Sequence, residues 1–328
     1  MARVVRLHRF GGPEVLVEEV VPDAPPGPGE IRIRQTAIGV NFTDVHGRRG
    51  DYANLRALPL PIAIGMEAAG IVEAVGPDVA RLRAGDRVAY ASAPLGSYAS
   101  HRNMPATRCV RVPEGVDDRT VAASLLKGMT LEYLLRRVHR VQKGEWIVFH
   151  AAAGGVGTLA GQWLRALGAH AIGIVGSAAK EATARAAGYA HVFVHGRDDW
   201  PNAARRLSDG AGVAAVYDSV GQATWEGSIA CLAPRGYMVC FGNSSGLVPP
   251  ISVNSLRDRG SLRLTWTRLS EYTATVEELD ACAAEVFEAL QRGILRPRIH
   301  AAFPLARAAD AHAALESRAT DGSLVLLP

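Results

Sequence analysis

The sequence predicts an α/β fold: a doubly wound, mostly parallel sheet, joined to a discontinuous β-rich domain drawn from both ends of the chain. Three observations lead there. Between about residues 126 and 268, six short apolar runs alternate with helical stretches, the pattern of successive strand–helix–strand crossovers. The first crossover carries a glycine turn, Ala151-Ala-Ala-Gly-Gly-Val-Gly157, between a strand-like and a helix-like run. Residues 1 to about 125 read instead as short strands punctuated by Gly and Pro, and the stretch 269–328 is too short to fold alone.

In order, the β-rich domain is expected to hold strands at 2–7, 15–20, 30–40, 69–75 and 87–90. A helix follows over 117–137, capped by Asp117 or Asp118, with Gly128-Met-Thr130 as a candidate break. Strands of the parallel sheet are expected at 146–150, 171–175, 191–194, 214–218, 237–241 and 261–266. Their carboxyl-end loops read AAAGGVG, GSAAK, HGRDD, DSVGQ and FGNSSG, a composition suited to a ligand-lining edge. Two helices, 275–290 and 306–316, and a strand at 324–327 close the chain. The expected division is therefore 1–125 with 269–328, and 126–268.

Composition narrows the function. The chain has 328 residues, 48% hydrophobic and 21% charged, with a net charge of +4, ordinary for a soluble globular enzyme. No basic block with interleaved aromatics appears, so no specific nucleic-acid partner is expected. Cys109, Cys231, Cys240 and Cys282 form no C-x-x-C pair, which argues against a disulfide framework or a cysteine zinc knuckle. The opening MARVVRLHRFGGPE has no signal-peptide core, and no apolar run reaches membrane-spanning length. A cytoplasmic protein with no membrane partner is the expectation.

The glycine turn suggests a dinucleotide. Gly154, Gly155, Val156 and Gly157 would let the backbone approach a pyrophosphate at a helix N-terminus, where free N–H groups and the helix dipole favour anions. Ala152 replaces the first glycine of the full pattern, so a plain tight turn before a buried helix is the competing reading. The loop after the second strand, Gly176 to Lys180, contains no carboxylate. In NAD-binding units an acid near this place holds the ribose 2′-hydroxyl. Gly176, Ser177 and Lys180 instead offer space, a donor and a positive charge for a 2′-phosphate, favouring NADPH over NADH. A solvated lysine on a helical turn is the alternative for Lys180.

Eight motifs in fixed order, GVNFTDVHGRRGDY, GMEAAGIVEAVG, AGDRVAYASAPLGSYAS, LLKGMT, HAAAGGVG, VYDSVGQATWEGS, FGNSSG and LESRATDGSLVLLP, resemble the zinc-independent NADPH:quinone oxidoreductases. These are the zeta-crystallin-like branch of the medium-chain dehydrogenase/reductase superfamily, and the bacterial quinone oxidoreductase type is especially similar. The resemblance spans essentially the full length. It implies a Rossmann domain plus a discontinuous GroES-like domain, NADPH as cofactor, a quinone or similar conjugated carbonyl as acceptor, and a homodimer. The run Leu262, Leu264, Trp266 would form an edge strand able to pair with its twin.

The resemblance also implies site residues. Asn41 and Tyr52 would lie near acceptor and nicotinamide as the catalytic pair, Tyr52 offering a phenolic donor. Their competing roles are a satisfied turn for Asn41 and a half-buried packing ring for Tyr52. Thr130 would reach the nicotinamide, with Phe241 and Asn243 beside it. Arg318 would close on the 2′-phosphate, which a planar guanidinium suits. Close relatives carry Tyr-Arg where this chain has His195-Gly196, so His195 would take over adenine stacking or phosphate donation, more strongly when protonated. His101, His139, His150, His191, His300 and His312 read as surface or packing residues.

Zinc relatives in the superfamily use a cysteine within the segment matching 39–46 and a histidine in a G-H-E motif. Here Asn41 stands near the first position, and the second motif reads Gly65-Met66-Glu67. Asp44 and His46 are two leftover ligands, short of the three a catalytic zinc requires, so no metal is expected. Hydride transfer to a quinone then needs placement and hydrogen bonding rather than a Lewis acid. The alternatives are an enone or alkenal reductase on the same scaffold, and a cofactor-binding structural or RNA-binding protein without turnover.

Overall fold

In the computed structural model, which describes residues 1–51, 56–317 and 319–328, eight strands come first: β1 (Ala2–Leu7), β2 (Leu16–Val21), β3 (Glu30–Val40), β4 (Ile62–Ala63), β5 (Glu67–Val75), β6 (Arg87–Ala91), β7 (His101–Pro105) and β8 (Val110–Arg111). Six more follow: β9 (Trp146–His150), β10 (His170–Val175), β11 (His191–Val194), β12 (Val213–Asp218), β13 (Leu232–Cys240) and β14 (Arg263–Trp266). Strands β15 (Ile299–Pro304) and β16 (Ser323–Leu327) close the chain. Three helices matter for the site: α1 (Phe42–Arg49), α2 (Asp118–Tyr133) and α3 (Gly155–Leu167).

The chain divides into two units, Met1–Lys127 with Thr273–Gln291 and Pro297–Pro328, and Gly128–Tyr272 with Arg292–Arg296. In the first unit, β3 organises the larger sheet. One of its edges pairs with β5 over most of its length; the other pairs with β7 at its start and β16 at its end. Its alternate residues Ile31 and Ile33 are fully buried with Ile38, where they pack with Val72, Tyr90, Met104, Leu305 and Leu324. The tail thus returns to the amino-terminal unit, Leu324 opposite Val40.

In the second unit all six strands run parallel in the order β11-β10-β9-β12-β13-β14. Counted within the unit this is 3-2-1-4-5-6, the doubly wound order whose direction of winding reverses between β9 and β12 and whose ligand crevice lies at the strands' carboxyl ends. Val148, Ile172, Ile174, Val216 and Met238 from its strands pack with Trp200 and Trp225 from two covering helices.

Several expected boundaries shift for identifiable reasons. The second unit runs to Tyr272 rather than 268 because Tyr272 stacks on Tyr133 at 4.4 Å and its carbonyl accepts from Arg137 Nη1 over 2.9 Å. It also reclaims Arg292–Arg296, where the Arg296 N–H donates to Gln162 Oε1 of α3 over 2.7 Å. Helix α2 does not break at Gly128: that residue is buried between buried neighbours, and packing outweighs a glycine penalty of about 1 kcal/mol. The irregularity comes later, as a π-turn over Leu134–Val138. Strand β15 was hidden because it is an edge strand ending in proline, and half its side chains face solvent.

Candidate active site and cofactor cradle

The five loops expected to line a ligand occupy the carboxyl edge of the parallel sheet. The turn after β9 requires Gly157: a Cβ there would lie 2.2 Å from the Ala151 carbonyl oxygen. Ala152 fits in place of the first glycine of the pattern because the space comes from the next strand, where a Cβ on Gly173 would be 2.8 Å from that of Ala152. Gly154 precedes α3 in extended backbone, so the N–H groups of Gly155, Val156 and Gly157 lie in a first helical turn with no intrahelical partner. After β10, Gly176 and Ser177 are exposed, Lys180 is half-buried, and nothing lies within 4 Å of a Cβ built on Gly176.

The two loops beyond β12 and β13 are zipped together. Ser244 and Ser245 N–H groups donate to the carbonyls of Ser219 (3.2 Å) and Val220 (2.9 Å), and Gln222 N–H to Gly246 (3.1 Å). Phe241 and Asn243 are half-buried there, Phe241 against Phe149. Thr130 is half-buried within α2. After β11, the His195 imidazole leaves a buried Nδ1 without a partner among the described residues. The nearest arginine in sequence, Arg197, is committed to Asp198 at 2.8 Å and Glu181 at 2.9 Å.

His150 is not a simple packing residue. It ends β9 fully buried, with Nε2 2.8 Å from Ser228 Oγ. Ser228 donates its single hydroxyl proton to Asp218 Oδ2 (3.0 Å), so His150 must donate from Nε2, and its buried Nδ1 is a bare, unpartnered acceptor. Burial drives the His150 pKa down, against the pull of Asp218. Burial also opposes ionisation of Asp218, but His150, Thr224 and the N–H groups of Val220 and Gly221 hold its carboxyl below the usual range.

In the first unit, Asn41 lies between β3 and α1. Asn41 Nδ2 donates to Glu67 Oε2 (2.8 Å), and Asn41 Oδ1 accepts from Lys127 Nζ (2.8 Å). Glu67 Oε1 takes the Leu126 N–H at 2.7 Å. The backbone of Asn41 donates to Asp44 Oδ2 (2.8 Å), which also receives the Tyr98 hydroxyl at 3.3 Å. Tyr98 meets His312 Nε2 at 2.9 Å, and Arg48 donates to His312 Nδ1 at 3.2 Å and to both oxygens of Glu316. Arginine only donates, so His312 carries its proton on Nε2 and passes a bond to Tyr98, which passes one to Asp44. Burial, then the Arg48 cation, pushes His312 down to about 3, against Glu316.

Glu67 and Lys127, the two charges on the Asn41 amide, were not singled out by sequence reasoning. Their signal was a single charge inside an apolar run, GMEAAGIV and AASLLKGM, since a charge buried in such a run needs a partner. Tyr52 and Arg318, expected at the acceptor and the 2′-phosphate, lie outside the described residues.

The donor set does not suit zinc. The Lys127 ammonium sits on the oxygen of Asn41, Met66 offers only a thioether that receives Thr43 Oγ1 at 3.8 Å, and His46 is turned to Asp51 at 2.7 Å. All four cysteines are buried and free. Zinc needs three ligands of Cys, His or carboxylate type, and no group of three such residues is poised for a metal among the described residues.

Residues 27–141 match the family described as alcohol dehydrogenase GroES-like domain, and residues 155–283 the family described as zinc-binding dehydrogenase. The chain is 45% identical over 328 residues to a quinone oxidoreductase of Pseudomonas aeruginosa, each chain covered in full. It is 41% identical to a 2-haloacrylate reductase of a Burkholderia species, over 100% of this chain and 99% of the relative. The structure of Escherichia coli quinone oxidoreductase complexed with NADPH superposes with a TM-score of 0.94 at 43% identity, covering 100% of both chains.

Burial raises the Asp44 pKa from 3.8 to about 7, the Asn41 N–H and Lys127 opposing and Glu67 reinforcing. The folded state therefore keeps a proton that the unfolded chain loses, and this contribution is complete below the unfolded pKa and fades as pH rises through the folded one. Asp44→Asn is expected to gain unfolding free energy relative to the unmodified chain as pH rises from about 4 to about 8. Urea titrations across that window giving a constant difference would show Asp44 ionised in the fold.

Proposed function

Since the chain belongs to the zinc-independent quinone oxidoreductases of the medium-chain dehydrogenase/reductase superfamily, we propose that Asn41, with Tyr52, receives a quinone and guides hydride transfer to it from NADPH. The protein is an NADPH-dependent oxidoreductase. The reading is carried by the Asn41 surroundings, where a lysine ammonium and an amide stand in place of metal donors. NADPH, when bound, supplies the hydride. Gly155, Val156 and Gly157 present their free N–H groups to its pyrophosphate, which the helix N-terminus favours. Gly176, Ser177 and Lys180 take the 2′-phosphate, with Arg318 from the tail and His195 at the adenosine. Thr130, Phe241 and Asn243 bound the nicotinamide. Asn41 and Tyr52 offer donors to the acceptor oxygen, which suffices for an electrophile as activated as a quinone.

A second reading, reduction of a conjugated alkene, is favoured by the likeness to a 2-haloacrylate reductase. Paired assays of a quinone panel and an enone panel, each with NADPH and NADH, are expected to give the highest kcat/KM with a quinone and NADPH. A clear preference for enones would move the chain to the second reading, and cofactor binding without any turnover would refute both.

Lys180→Glu places a carboxylate against the 2′-phosphate. The variant is expected to lose about tenfold or more in affinity for NADPH while holding NADH, as fluorescence titration would read. An unchanged ratio of the two affinities would remove Lys180 from the cofactor site.

We also assign a cytoplasmic location and a homodimer. None of the described helices is long and apolar enough to cross a membrane, and four reduced cysteines suit a reducing compartment. Strand β14 is an edge of its sheet with Leu264 and Trp266 37% and 47% exposed, while Leu262 turns inward at 7%. An apolar edge invites pairing with a twin. Sedimentation at micromolar concentration is expected to show a dimer, and Trp266→Lys to shift it toward monomer; a native chain that sediments only as monomer would rule the dimer out.

A further inference from the structure

The Asn41 side chain is held between two charges of opposite sign. Its Nδ2 bonds Glu67 and its Oδ1 bonds Lys127, both at 2.8 Å, and Lys127 Nζ lies 3.7 Å from Glu67 Oε2. Burial pushes the Glu67 pKa up, while Lys127, the Asn41 amide and the Leu126 N–H favour its charged form; as a carboxylate it only accepts, and the Lys127 ammonium only donates. One amide orientation therefore makes both bonds, and the flipped orientation loses both and turns like partial charges toward each other.

Glu67 is itself immobile. It is fully buried, its second oxygen takes the Leu126 N–H, and it stands so close to β3 that a Cβ on Gly39 would lie 2.3 Å from Oε2. Lys127, 6% exposed, is fixed by its place in α2 and by its bond to Asn41. One hydrogen of the Asn41 amide is used on Glu67, so one N–H remains to be offered, and its direction follows from the other two contacts.

We propose that Glu67 and Lys127 are positioning residues for the hydride transfer, a buried ion pair that locks the Asn41 amide so that its remaining N–H points at the acceptor oxygen where negative charge develops. The inference rests on the reading that Asn41 meets the acceptor. A donor fixed beforehand needs no reorientation as charge appears, which is where preorganised hydrogen bonds act on rate. The pair does this without touching the acceptor.

The test separates positioning from simple support of the fold. Lys127→Met and Glu67→Gln each leave a buried group without its partner and are expected to lower the thermal midpoint. The double variant removes both charges at similar volume, and its midpoint and NADPH affinity are expected to return close to those of the unmodified chain. Its kcat/KM for a quinone is nevertheless expected to stay about 100-fold down, level with Asn41→Ala. Turnover that recovers together with the midpoint would overturn the proposal and leave the pair as packing. Should the double variant not fold, Lys127→Arg decides: it keeps the charge but moves the donor, and a stable protein with turnover about tenfold down is expected, whereas full turnover would overturn it. If Asn41→Ala alone leaves turnover intact, the underlying reading of Asn41 fails instead, and the two failures are told apart.

Discussion

A carboxylate removed from water must be surrounded by donors, and Glu67 imposes that requirement on much of the first unit. Its donors come from the junction of β3 and α1 through Asn41, and from α2 through Leu126 and Lys127. Gly39 opposite it is a glycine because β3 must pass within contact of both Glu67 and the Ala122 carbonyl. From Asn41 the polar chain continues to Asp44, Tyr98, His312, Arg48 and Glu316. Each member is oriented by the next, and the arginine at the far end sets the direction of the last bonds. Without Glu67 the Asn41 amide would keep only Lys127 to hold its orientation.

The second unit solves a different problem with different means. Its six parallel strands bring successive loops to one edge, so a ligand there can be met by backbone N–H groups from a turn too tight for a Cβ at Gly157. No carboxylate stands in the 176–180 loop, and the nearby Glu181 is occupied by Arg197 and Arg185. An acidic repulsion against a phosphate is thereby absent where it would matter most. Among the described residues, the ring Nδ1 of His150, an acceptor, and that of His195 have no partner at this same edge.

How much of this was legible in the sequence depended on range. The parallel sheet could be read because each strand and loop recurs on a local period, and the strands at 146–150 and 191–194 fall where the apolar runs do. The return of the tail to the first unit followed from its being too short to form a core. The acid-free composition of the 176–180 loop could be read because an absent acid is a local fact. The ring of residues around Asn41 could not, because its members are distant in the chain: Lys127 lies 86 positions from Asn41, and His312 lies 264 from Arg48. A buried charge is visible in a sequence as an interruption of an apolar run, but its partner is visible only in three dimensions. Leu262 shows the same limit at small scale, since alternation placed it on the open edge with Leu264 and Trp266, and the strand begins one residue later.

The closing strand and the helix Ala308–Glu316 bear on how such a chain is made. Arg48 emerges early in synthesis, yet Glu316, which takes both arms of its guanidinium, follows 268 residues later. Until Glu316 leaves the ribosome, the guanidinium lacks the carboxylate it buries against, and sealing it away unpaired would be strongly unfavourable. The parallel-sheet unit needs the chain only to Tyr272, apart from Arg292–Arg296. A nascent chain of this kind therefore carries one domain able to settle while the other waits for residues 308–327, and a chain cut before β16 would leave Gly39 and Val40 with an unpaired edge.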